Sequence, residues 1–243
     1  MIDCKGRVKE MENEAAIREL LTEAHGIVEK EKLGDWIGHV TCRIPPGDRI
    51  LIKPQWVRLG GLRPEDFLVM DLEGKVLDWG AGDPARKGFN PPSEWPLHTE
   101  IYLAREDVQA VAHTHPLVAT AMTVAGVDIE PLYHRSAYFG AGVPLYPKPD
   151  LINTRALGVE TAQALGGHNA LLLQGHGAIT VGAEVEESVI LAIFLEQSAW
   201  TQWVAQSFGK PLQRLPDDFT APYIGLQPNR FPFVWDFYKA IHL

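Results

Sequence analysis

Between Asn13 and Leu33 the apolar residues Ile17, Leu20, Leu21, Ala24, Ile27 and Val28 recur with the period of a helix, and Gly34 follows where a left-handed residue would stop it. The period then shortens. Residues 40–44, 50–53, 67–71 and 75–78 are β-type runs punctuated by Pro45-Pro46-Gly47-Asp48 and Glu73-Gly74, which predicts an antiparallel meander. A Gly/Pro-rich loop of the kind that often carries function spans 79–92. Helical spacing returns from Glu94 to Ala104, with Ser93 as the expected cap. Further strands are predicted at 108–114, 143–146, 170–173 and 178–181, and helices at 116–125, 154–165 and 185–207. The last of these carries a broad apolar face that suits covering a sheet. This succession predicts an α/β sandwich. One domain over residues 1–243 is expected, with 208–243 an irregular tail broken by Pro216, Pro222, Pro228 and Pro232. The aromatic stretch 231–238 in that tail needs covering, by another subunit if not by its own.

Composition narrows the function classes. With 31 acidic against 22 basic residues, and no run of Lys or Arg, the chain lacks what nucleic acid or an anionic membrane surface would require. No apolar stretch approaches the roughly 20 residues of a membrane helix. Cys4 and Cys42 are too few for a disulfide framework, so a reducing cytoplasm is the expected compartment.

The chemistry concentrates in a few residues. His113 and His115 end a predicted strand, and residues two apart on a strand share a face, so both imidazoles can meet one ion. Alone, such a pair is as readily a hydrogen-bonded strand feature. His176, in Gln174-Gly175-His176-Gly177, supplies a third ring with space beside it. The three suit a divalent cation with an open position for substrate; zinc is the first expectation, with manganese, cobalt and iron as alternatives. Glu94 opens a helix, where an acid complements the helix dipole by about 0.3–1 kcal/mol. Beside a metal, the same carboxylate can complete the ligand shell and move a proton. His98, one turn on, is placed either to orient Glu94 or simply at the surface.

The order Pro91-Pro92-Ser93-Glu94-Trp95, then His113-Thr114-His115-Pro116, then Leu172-Leu173-Gln174-Gly175-His176-Gly177 resembles the class II aldolase/adducin family, over most of residues 15–207. The resemblance implies a three-layer α/β/α sandwich around a mainly antiparallel sheet, and a metal held by His113, His115 and His176 with Glu94 beside it. It also implies a homotetramer with active sites between subunits. Tyr133 resembles the family's tyrosine proton donor, though core packing beside Leu132 accounts for it equally well.

Three segments depart from the phosphate-binding pattern of the family's sugar-phosphate aldolases: Gly38-His39-Val40-Thr41, Lys53-Pro54-Gln55-Trp56 and Pro92-Ser93-Glu94. Proline offers no amide donor and an indole crowds a phosphate cradle. In their place stand His39, Lys53, Gln55, Trp56 and Arg58, with His134 and Arg135 after Tyr133. Taken singly, such residues are usually solvated; together they suit a flat carboxylate against an indole wall. The expected activity is a metal-dependent carbon–carbon lyase, foremost a decarboxylase of a hydroxylated aromatic acid such as 3,4-dihydroxyphthalate. An aldolase acting on a non-phosphorylated hydroxy-oxo acid or sugar and a non-catalytic adducin-like module are the alternatives.

Overall fold

A computed structural model describes residues 14–34, 36–81 and 89–243. Cys4 and the middle of the 79–92 loop lie outside the described residues. Helices α1 (Glu14–Lys30), α2 (Trp95–Ala104), α3 (Leu117–Ala125), α4 (Arg155–Leu165), α5 (Val185–Ser207), α6 (Asp217–Thr220) and α7 (Pro232–His242) alternate with strands β1 (His39–Ile44), β2 (Arg49–Ile52), β3 (Leu68–Asp71), β4 (Val76–Asp78), β5 (Ala110–Thr114), β6 (Leu145–Tyr146), β7 (Ala170–Leu173) and β8 (Gly177–Gly182). The strands form one sheet in the order β4-β3-β2-β1-β5-β8-β7-β6, antiparallel throughout except for the β6–β7 pair.

The central strands are buried on both faces because helices cover both. Val40, Cys42, Ala110 and Ala112 pack with Ile17, Leu21 and Ile27 of α1 and Val189 and Ile193 of α5. Ile50, Ile52, Val111 and Ile179 face the other way, onto Leu97 and Ile101 of α2 and Leu165 of α4. The result is the expected three-layer α/β/α sandwich.

Three local expectations change. The left-handed residue after α1 is Lys32 (φ 59°), not Gly34. Gly34 is small for another reason: a Cβ there would lie 2.5 Å from Leu59 Cδ1. Glu94, not Ser93, occupies the N-cap position of α2, and its side chain makes no capping bond. Pro96 in the first turn has no N–H to cap, and the Trp95 amide already donates to Pro92 O at 3.0 Å. The tail is irregular up to Phe231 apart from the short α6 and the single 3-10 turn after it. Pro232 fits the first turn of a helix, and α7 buries Trp235 and Tyr238 in the core of its own chain.

His25 is fully buried in α1; its Nδ1 donates to Leu21 O at 2.7 Å and its Nε2 accepts from Val40 N at 3.0 Å. Burial lowers its pKa to about 3. The unfolded chain binds this proton near pH 6.5 whereas the folded chain does not until about pH 3, so stability falls as pH drops through that window. At pH 5 the linkage from one such group is about 2 kcal/mol. Thermal unfolding followed from pH 7 to pH 5 is expected to show a smaller drop in Tm for His25→Gln than for the parent chain; equal drops would refute the assignment.

Candidate active site

The register of the sheet assembles the site. Strand β5 places His113 directly opposite His39 of β1 on one side and Ile179 of β8 on the other. His115 follows on the same face, just beyond the strand end. His176 sits in the turn between β7 and β8, where Gly175 takes φ +60°. Gly177 admits the close approach: a Cβ there would lie 2.3 Å from Thr114 O and 2.8 Å from His115 Cδ2.

The three imidazoles converge through Nε2. His113 Nδ1 donates to Ala178 O and His176 Nδ1 to Asp150 O, each at 3.1 Å, which fixes both tautomers with the Nε2 lone pair facing inward. His113 Nε2 and His115 Nε2 are 3.1 Å apart, close to the separation of about 3.3 Å between neighbouring ligands of a tetrahedral zinc. Glu94 Oε2 lies 3.5 Å from His113 Nε2 and 3.6 Å from His176 Nε2, while Oε1 accepts from the Ile152 amide at 2.9 Å. The donor set and its spacing fit a divalent cation.

Burial opposes ionisation of Glu94, but the adjacent His113 and His176 outweigh it and hold the carboxyl well below the usual range. Burial likewise opposes charge on His176, but the adjacent Glu94 carboxylate outweighs it and raises the pKa of that ring, so Glu94 and His176 are coupled. Burial, then the neighbouring rings, lowers the pKa of His115 to about 3, keeping the ring neutral. A cleft of about 370 Å³ opens onto His115 and His176 between Ile37 and the Pro149–Leu151 segment.

Around this centre the other candidates divide. His39 joins it: one of its ring nitrogens, a Glu94 oxygen and a His113 nitrogen lie within 4.8 Å of one another. Lys53 is fully buried, donates to Gln55 O at 3.0 Å and is near enough to His39 to oppose its protonation. Burial lowers the Lys53 pKa to about 8. Trp56 is half exposed and stacks on Trp36 with ring centroids 5.0 Å apart. Arg58 is taken by Glu29 at the surface. Within one protomer Tyr133, His134 and Arg135 lie elsewhere. The Tyr133 hydroxyl is buried near Ser198 and Thr201 of α5. His134 meets Tyr223 at 3.2 Å, and Arg135 bonds Gln197 and covers Phe194. His98 is neither at the surface nor on Glu94; it is fully buried and bonded to His39 and Thr41. Thr41, Tyr102 and Trp36 escaped the sequence reading. The first two carry a signal, since Thr41 shares a strand face with His39 and Tyr102 follows His98 by one helical turn.

Residues 19–203 match the class II aldolase and adducin N-terminal domain, and the chain belongs to that family. It is similar to the 3,4-dihydroxyphthalate decarboxylase of Arthrobacter keyseri, with 32% identity over 84% of each chain. The enzyme of the same name from Terrabacter sp. is 32% identical over 88% of this chain and 92% of its own. Among solved structures, L-fuculose 1-phosphate aldolase from Glaciozyma antarctica superposes with a TM-score of 0.79 at 25% identity, over 93% of this chain and 88% of that one.

Purified chain titrated with zinc is expected to bind about one ion, and His113→Ala or His176→Ala to weaken binding at least ~100-fold with an unchanged far-UV spectrum. Binding as tight as the parent's in both variants would remove the metal centre.

Proposed function

We propose that the chain is a divalent-metal-dependent carbon–carbon lyase that decarboxylates a hydroxylated aromatic carboxylate such as 3,4-dihydroxyphthalate. The observation that carries this reading is Lys53, a buried ammonium that forms no ion pair among the described residues, close to a histidine–glutamate cluster. A buried charge without a partner is costly, and a substrate carboxylate would supply that partner. Similarity to two chains named as dihydroxyphthalate decarboxylases supports the same substrate class.

A divalent ion held by His113, His115 and His176 supplies a Lewis acid where negative charge develops on oxygen. Glu94, held ionised at rest, takes the proton of a substrate hydroxyl. The bond to the carboxyl carbon then breaks, its electron pair stays on the ring, and carbon dioxide departs. Glu94 returns the proton to the ring carbon, so the carboxylate is regenerated. Trp36, next in the chain to the cleft-lining Ile37, stacks on Trp56, and in this reading the pair offers the aromatic wall. In the homotetramer included in this proposal, His134 and Arg135, exposed on the single chain, serve a neighbouring copy's cleft, whereas the buried Tyr133 hydroxyl would have to leave Ser198 and Thr201 to act there as proton donor. Apolar side chains such as Leu117, Trp200, Trp203, Phe233 and Phe237, exposed on the single chain, provide surface for such assembly. Retro-aldol cleavage of a hydroxy-oxo acid uses the same electron sink, and the likeness to an aldolase structure favours it as the second reading.

Zinc- or manganese-loaded protein incubated with catechol carboxylates is expected to release carbon dioxide; aldehyde from hydroxy-oxo acids, with no gas from the first group, would sink the decarboxylase assignment. Glu94→Gln should keep the fold and lower turnover at least ~100-fold. Lys53→Met should raise KM about 10- to 100-fold, the value of a charge-assisted hydrogen bond, without lowering Tm. An unchanged KM would show that Lys53 takes no carboxylate.

A further inference from the structure

Behind the cleft runs a buried line of hydrogen bonds that the lyase chemistry has not yet used. His39 Nδ1 meets His98 Nε2 at 2.6 Å, His98 Nδ1 meets Thr41 Oγ1 at 2.8 Å, and Thr41 Oγ1 meets Tyr102 Oη at 2.9 Å. All four side chains are at most 2% exposed. The Tyr102 ring is pinned beneath the Arg43 guanidinium, 4.8 Å from its centroid, and Arg43 is itself fixed through Nε to Val108 O at 2.9 Å.

Counting protons gives the line a direction. Burial keeps the Tyr102 phenol protonated, and Thr41 Oγ1 is the acceptor within its reach, so Tyr102 donates to Thr41. The Thr41 proton can go to His98 Nδ1 at 2.8 Å or to Val111 O at 3.4 Å, and the shorter bond is the stronger. His98, held neutral by burial with its pKa lowered to about 3, then carries its proton on Nε2 and donates to His39 Nδ1. With Nδ1 engaged as an acceptor, a neutral His39 carries its proton on Nε2, the nitrogen left for the cluster. The surroundings require the same sense. Across from His39 stand the Glu94 carboxylate and His113, whose Nδ1 proton is on Ala178 O and whose Nε2 therefore shows a lone pair. A lone pair on His39 would face acceptors, whereas an N–H faces them favourably.

We propose that His39 is a catalytic residue acting as a neutral N–H donor to the substrate oxygen beside Glu94, with His98, Thr41 and Tyr102 as positioning residues that lock its tautomer. The proton is not transferred. It lies preorganised where negative charge grows on oxygen as the carbon–carbon bond breaks, and a buried donor of this kind contributes to rate rather than to ground-state binding. This arrangement also removes His39 from the metal shell, since a protonated Nε2 has no lone pair to give. The identity of the oxygen rests on the lyase reading above; the tautomer does not.

The test is two-bond 15N–1H correlation on the zinc-loaded full chain with 15N-labelled histidine. His39 and His98 are both expected as neutral Nε2–H rings, and Thr41→Val is expected to convert His98 to a mixture of tautomers, with Thr41→Ser retaining the parent pattern. In turnover, Thr41→Val should lower kcat about 10-fold with KM within about 2-fold. His39→Asn should bind zinc as tightly as the parent. An Nδ1–H or imidazolium state at either ring of the parent chain overturns the proposal, as does loss of zinc from His39→Asn. The parent spectrum decides the matter even if a variant does not fold. Failure of every carboxylate in the substrate panel would sink the lyase reading while leaving the tautomer intact.

Discussion

Strand β5 lies inside the sheet between β1 and β8, and its register decides where every reactive group can stand. Because side chains alternate along a strand, Ala110 and Ala112 go to the layer under α1 and α5, and Val111 and His113 to the layer under α2. The cross-strand partner of His113 is His39, and the hairpin that returns β7 into β8 delivers His176 beside them. A slip of one residue in either ladder would send His113 into the apolar layer and pull the cluster apart. The sandwich is thus the reason the cluster exists.

The polar groups of the site are held by backbone groups rather than by other side chains. Backbone carbonyls at Ala178 and Asp150 orient two of the rings, and the Ile152 amide takes one oxygen of Glu94. Each of these partners belongs to a strand or to a loop leading into a helix, and none depends on another ionised group. That matters in a buried site. Neutral partners fix geometry without adding charges that must themselves be compensated.

How much of this the sequence made readable depends on the distance over which each signal acts. Helix α5 was readable to its end residues because its pattern is local and long. His113 and His115 were readable as a pair because strand alternation is local too. The link to His176, some sixty residues away, rested on its glycine-flanked position and was strengthened by the family's motif order, not by any spacing rule. The cap of α2 was misread since Ser93 has the right chemistry, while what counted was that Pro96 removes a donor. The tail was misread since four prolines look like breakers, whereas Pro232 sits where a helix tolerates it. Tyr133, His134 and Arg135 form a motif-like run with no period that tells where their side chains go. His98 was the hardest case: its neighbour on the helix face is Glu94, but its actual partner, His39, comes from a strand fifty-nine residues earlier.

A metal beside a carboxylate is common to decarboxylation and retro-aldol cleavage, so the ligand set cannot choose between them. The choice lies in what surrounds it. A sugar phosphate calls for several backbone and hydroxyl donors arranged around a dianion, and here proline and tryptophan occupy positions where such donors would stand. What the chain offers instead is one buried ammonium at Lys53, an exposed pair of stacked indoles, and a neutral histidine backed by other neutral groups. A desolvated cation suits one carboxylate of the proposed acid, and flat indoles suit a flat ring. A neutral donor matches an oxygen whose charge appears only in the transition state. These three features are what the proposed planar acid would use, and His39 and Trp56 stand where the sugar-phosphate pattern has other residues.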